Sequence, residues 1–159
     1  MMLDERVKFL FKYWFQQGQS EQSYNLVVKF FHYYFCFNLL MANLSSKNYD
    51  KDMIKWLKSN NNLIKDTFNE LLNSEPFLNS LRSLQKLSPI SDNRAIKPKP
   101  DTVINDVTNF DEILDAIYQI RCNLFHGTKN PREKRDLKLM AYSTHILQKW
   151  IGAIYLSLF

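Results

Sequence analysis

Arg121 and His126 stand five positions apart in a stretch that also holds Asn123, Lys129, Arg132 and Arg135. An imidazole, with an unperturbed pKa of about 6.5, can move protons near neutral pH. A guanidinium offers a planar, permanently charged fork that matches phosphate oxygens, and offsetting charge as it develops is usually a large catalytic term. The charge around this pair is concentrated. Residues 121–138 hold six bases (Arg121, Lys129, Arg132, Lys134, Arg135, Lys138) against two acids, whereas 101–120 hold five acids and no base. A phosphate backbone would be held in that basic run, and the chain's formal charge of +5 agrees with a polyanionic partner. Plainer roles compete: Arg121 as a stem covering apolar neighbours, His126 as a helix-end residue beside the carbonyl dipole, and Asn123 as a solvated amide.

Other chemistries find less support. His32 and Cys36 are four apart, as are Cys122 and His126, which together have the makings of a Cys2His2 zinc set. The aromatic surroundings of the first pair favour a buried thiol and a core imidazole instead, so no metal is expected. His145 lies off the apolar positions of its segment and has no evident partner. With three Gly the chain cannot build a Gly-rich phosphate loop, and no nucleophilic triad or paired-carboxylate motif is present, so no cofactor is expected. Two cysteines exclude a disulfide framework.

The elements that must position these groups read as helices. A chain of 159 residues, 45% hydrophobic and carrying 12 Phe, 8 Tyr and 3 Trp, has the size and apolar content of one folded domain, residues 1–159. All five Pro fall between Pro76 and Pro131. Val7, Leu10, Phe11 and Trp14 make an amphipathic stripe over about 3–17, with Gly18 as its stop. A longer helix runs from about Ser20 or Ser23 to Leu44, its wide face of Tyr24, Val27, Val28, Phe31, Tyr34 and Phe35 implying burial on more than one side. The uncharged run Phe30 to Ser46 within it is interrupted by His32, Asn38 and Asn43, so it reads as a buried helix and not a membrane span. Met53–Leu57, Leu63–Leu72 and Pro76–Leu87 give two or three short helices, and 88–108 one long loop.

Asn109 and Glu112 have the spacing of a capping box for the next helix, with Ile113, Ile117, Ile120 and Leu124 on one face and Gly127 as its end. Asn130 as N-cap, Pro131 in the first turn and Glu133 three residues after the cap begin the last. In it Leu137, Met140, Thr144, Leu147, Ile151, Ile154 and Leu158 form a seam for packing against other helices or a second copy. The expected fold is all-α, an antiparallel helical bundle of about five to seven helices, assembled as a homodimer. The first turn carries charges where an apolar leader would begin, which places the chain in the cytoplasm.

Arg121-Cys122-Asn123-Leu124-Phe125-His126, at the end of one helix and followed by a turn and a long second helix, resembles the R-x4-H signature of the HEPN superfamily of helical-bundle ribonucleases. The following Gly127-Thr128-Lys129 and Arg135-Asp136 are also similar to what many members show. The resemblance implies metal-independent endoribonuclease activity at a composite site formed where two copies pair their motif helices. It further implies a toxin or an antiviral, abortive-infection effector, with an antitoxin or other regulatory protein as a partner. RNA supplies the nucleophile, its 2'-hydroxyl, so His126 would move protons and Arg121 stabilise the phosphorane. Asn123 would position either the imidazole or the phosphate. Lys129, Arg132 and Arg135 would bind the strand without reading its bases. Some members carry a modifiable Tyr two positions after the His, where this chain has Thr128. A non-catalytic bundle that binds RNA or a protein is the alternative. One geometric demand follows: in an ideal helix Arg121 and His126 lie roughly 140° apart around the axis and about 7.5 Å along it, so they converge only at a dyad or a loosened helix end.

Overall fold

The computed structural model describes residues 3–21, 25–92, 100–127 and 133–159. Seven helices are present among them: α1 (Glu5–Ser20), α2 (Leu26–Ser45), α3 (Asp50–Ser59), α4 (Leu63–Leu71), α5 (Glu75–Gln85), α6 (Phe110–Phe125) and α7 (Lys134–Leu158). The expected all-α bundle is therefore what the chain forms. No described helix is long and apolar enough to cross a membrane.

Local signals set most of the boundaries. The Asp4 carboxylate accepts from the Arg6 N–H at 2.8 Å and caps α1. Asn62 caps α4 by accepting from Lys65 N–H, while its amide donates to the Leu57 carbonyl and ties α4 to the end of α3. Asn109 accepts from the N–H groups of Asp111 and Glu112, as a capping residue should. Glu112 departs from the expected box. Its carboxylate reaches past Asn109 to the N–H groups of Asn105 and Asp106, at 2.7 and 2.9 Å, and so fastens the preceding loop to the helix start. For α7 the Asn130 and Pro131 signal lies outside the described residues. The described helix begins at Lys134, with Glu133 extended in the capping position.

The loop before α6 is more tied down than its lack of periodicity suggests. Ile90 and Thr102 exchange both backbone hydrogen bonds, at 2.8 and 2.9 Å, and Ile90 and Ile104 are buried in the core.

α2 and α7 form the centre of the bundle, α7 packing against α1, α2, α4, α5 and α6. Met140, Thr144, Leu147, Ile151 and Ile154 of the α7 seam are all buried within this one protomer, so most of the seam is taken up by internal packing, while Leu137 at its start is exposed. At the middle of the core the Trp150 indole meets the rings of Phe37, Phe68 and Phe110, with centroids 5.1, 5.1 and 5.9 Å away.

Gly18 is not a helix stop, since α1 continues to Ser20. Its lack of a side chain serves α2 instead: a Cβ built there would lie 2.9 Å from Cε1 of the buried Tyr33 ring. Gly18→Ala gains roughly 1 kcal/mol of helix propensity but forces overlap that typically costs about 1–3 kcal/mol in a filled core. The expected outcome is a net loss of stability in urea unfolding, relieved when Tyr33→Leu is introduced with it. A stabilised single variant would show that Tyr33 has room to move.

Candidate functional site

The R-x4-H segment occupies the C-terminal turn of α6. Gly127 adopts φ +66°, a conformation that favours glycine, and the helix closes with the His126 N–H on the Cys122 carbonyl and the Gly127 N–H on the Leu124 carbonyl. His126 itself has left the helical region, at φ −88° and ψ 8°. The imidazole is exposed and meets the Phe125 ring edge-on at 5.3 Å.

Arg121 meets the same ring. Its guanidinium carbon is 5.0 Å from the Phe125 centroid and 5.7 Å from that of Tyr34. Arg121 and His126 thus both neighbour Phe125 and are no farther apart than those ring distances added together. Within one protomer they share a neighbour without touching.

The guanidinium lies in an open cleft of about 370 Å³ between α2, the start of α3 and the end of α6, lined by Phe31, Tyr34, Phe35, Asn38, Asp50, Arg121 and Phe125. Arg121 Nη2 makes an ion pair with Asp50 Oδ2 at 3.2 Å. The other Asp50 oxygen accepts from the Asn38 amide at 3.0 Å. Burial works against the charged guanidinium, but Tyr34 and Asp50 beside it hold its pKa above the ordinary value. Burial, with Asp50 adding to it, pushes the Tyr34 phenol upward, and the buried hydroxyl has no hydrogen-bond partner among the described residues.

Asn123 lies apart from this cleft. It is fully buried, donating to the Ser91 carbonyl at 2.8 Å and accepting from the Gln119 amide at 3.0 Å, so it fixes the long loop against α6. Arg135 sits just inside α7, where one guanidinium nitrogen donates to the carbonyls of Leu87 and Pro89, at 2.7 and 2.8 Å. Lys129 and Arg132 lie outside the described residues, as does Thr128.

The four residues of the zinc-like spacing are separately employed. The Cys36 thiol donates to the Phe11 carbonyl, and His32 stacks on Trp14 at 5.7 Å. Cys122 is buried while His126 is exposed. Among the described residues no three His, Cys, Asp or Glu side chains gather as a metal site would require.

Asp50, Asn38 and Phe125 were not singled out by the sequence. Phe125 was available as the residue beside the imidazole, but no local spacing announces that Asp50 meets Arg121, some 70 positions later, with Asn38 bonded to the other Asp50 oxygen.

His145, without an evident partner in the sequence, proves to join α7 to α5. Its Nδ1 is 2.6 Å from Ser80 Oγ, which also bonds the Pro76 carbonyl. Burial holds the imidazole below its ordinary pKa, with Lys149 adding to the effect. The unfolded chain therefore takes up this proton first as the pH falls below about 6.5, and stability declines from there through the folded-state pKa. Above that window this group contributes no slope. Urea midpoints should fall more between about pH 7.5 and about pH 5 in the native chain than in His145→Gln. Equal declines would remove His145 as the source.

Comparison of the chain with protein-family models, with curated proteins and with solved structures finds no match.

Proposed function

We propose that the chain is a metal-independent endoribonuclease of HEPN type, cutting RNA by attack of its 2'-hydroxyl on the adjacent phosphate. The observation that carries this reading is that Arg121 and the exposed His126 share one neighbour, Phe125, which with Arg121 lines an open cleft, one group suited to phosphate and the other to proton transfer. Asp50 takes one edge of the Arg121 fork, which leaves further N–H donors for a phosphate. The reading assigns proton transfer to His126 and charge stabilisation to Arg121. Asn123 acts through the loop it holds and not at the phosphate. Two copies meeting near the ends of α6 would complete the site by bringing the imidazole of one protomer to the guanidinium of the other. A role as a toxin or an antiviral effector rests on the resemblance of the motif, as does an antitoxin partner, while a cytoplasmic setting rests on the charged first turn.

The Arg121–Asp50 ion pair favours a second reading, a non-catalytic bundle of the same shape that binds RNA or a protein, because a guanidinium already matched to a carboxylate can serve packing alone. Incubation with unstructured RNA in excess chelator, from about pH 5.5 to about pH 8.5, separates the two. Cleavage leaving 2',3'-cyclic phosphate ends supports the nuclease. RNA left intact across that range overturns it.

A further inference from the structure

The outer surface beside the cleft carries more aromatic area than a bundle of this kind needs for its core. Tyr13, Phe35 and Phe125 are 44, 40 and 65% exposed. Tyr13 and Phe35 are linked through ring contacts, and Phe125 shares the cleft with Phe35. Tyr13 meets Trp14 at 5.0 Å, Trp14 meets Phe35 at 4.8 Å, and Phe35 meets Phe31 at 6.1 Å. Phe31 and Phe35 then form one wall of the cleft that Phe125 and Arg121 complete. The result is a strip of rings running from α1 across α2 to the end of α6, where it reaches a guanidinium and an exposed imidazole. Contiguous exposed apolar surface of this sort marks a binding face.

Two observations indicate what binds there. The strip ends on a cation framed by rings, with the Arg121 guanidinium within 5.0 Å of Phe125 and 5.7 Å of Tyr34. Such a setting suits a phosphate next to a stacked base. It also ends where the chain's basic run begins, six bases against two acids over 121–138. A polyanion whose repeating unit has an aromatic face matches both, and single-stranded nucleic acid is that chemistry. The cleft, at about 370 Å³, lies at the small end of ligand sites, which run upward from about 300 Å³.

We infer that Tyr13, Trp14, Phe35 and Phe125 form a stacking track for the bases of a single-stranded RNA, leading its backbone to Arg121. This rests on the nuclease reading and deepens it by assigning the surface that holds unpaired RNA, through base faces with little sequence preference. Duplex RNA keeps its base faces covered and is not accommodated.

The test uses a thymidine decamer and a decamer of the same sugar-phosphate chain without bases. Neither carries a 2'-hydroxyl, so binding is read apart from cleavage. The thymidine decamer should bind at least about tenfold more tightly than the baseless one, because each stacked base is worth about 1–3 kcal/mol. It should quench the emission of Trp14, a change that Trp14→Phe removes while keeping a ring in place. Phe35→Ala should weaken binding about tenfold, and Phe35→Tyr should restore it. Equal affinity for the two decamers in the unaltered protein overturns the track, whatever any variant does. A Phe35→Ala variant that converts a dimer to a monomer in light scattering, with decamer affinity unchanged, makes the strip a contact between copies and also overturns it. If RNA is never cut but the decamers are distinguished, the nuclease reading falls and the track stands.

Discussion

His126→Ala is expected to lower RNA cleavage by about 10²- to 10⁴-fold, the range usual for a lost general acid or base, while leaving the unfolding midpoint almost unchanged. The second half of that expectation follows from position. His126 is exposed at the end of α6, and the turn is made by the Gly127 backbone, not by the imidazole. Substitutions at such places usually alter stability by no more than about 0.5 kcal/mol. Arg121→Ala should cost about 10²- to 10³-fold, as removing one charge-stabilising donor commonly does. It also leaves Asp50 without its cation, so this variant should lose stability as well as rate. Pairing it with Asp50→Asn should recover stability without recovering cleavage. Arg121→Lys should remain poor, because an ammonium lacks the planar fork. If the two groups act on one phosphate, Arg121→Ala with His126→Ala should be scarcely worse than the poorer single variant. Cleavage by His126→Ala at the native rate would remove the imidazole from the mechanism.

How much of this was visible in the sequence depended on the range of the interaction involved. The α1 and α6 stripes, the Asn109 cap and the Gly127 stop are written within one or two helical turns, and these features were legible. Gly18 misled because a glycine near a helix end has two physical uses. The second, close approach of the Tyr33 ring, is a contact between α1 and α2 that no local spacing encodes. Glu112 likewise had the right offset for its own cap, but the Asn109 N–H is taken by the Asp106 carbonyl and the carboxylate accepts from loop N–H groups instead.

The α7 seam was read correctly as a packing face open to internal or external partners, and the fold assigns it to internal helices. For the candidate site, the order Arg121, Phe125, His126 along the chain was legible. Two side chains roughly 140° apart in an ideal helix are here joined only through their shared neighbour Phe125, beside a cap residue, His126, that has left helical geometry. Asn123 was read as a polar neighbour of the pair, but a helical step of about 100° per residue turns it from the cleft toward Ser91. Asp50 and Asn38 could not be anticipated, because the meeting of Asp50 with both Asn38 and Arg121 depends on how α2, α3 and α6 cross.

Trp150→Ala is expected to have the largest effect on the fold itself. The indole is completely buried, contacts rings contributed by α2, α4 and α6, and donates to the Ile64 carbonyl at 2.9 Å. Emptying such a position typically costs about 3–5 kcal/mol, against a total stability of about 5–15 kcal/mol for a domain. The loss should therefore consume a large part of the margin and appear as a urea midpoint lowered by more than 1 M, for m of about 1–3 kcal/mol/M. Trp150→Phe separates the two contributions. It keeps an aromatic body against Phe37, Phe68 and Phe110 but abandons the N–H donor, so it should lose less than the alanine variant. Because α6 is held on the bundle partly through Phe110 against this indole, the alanine variant should also loosen the end of α6. Cleavage measured well below its unfolding midpoint would then fall although no group that faces the phosphate has changed. A Trp150→Ala protein that unfolds within about 1 kcal/mol of the native chain would show that the core can collapse around the missing ring.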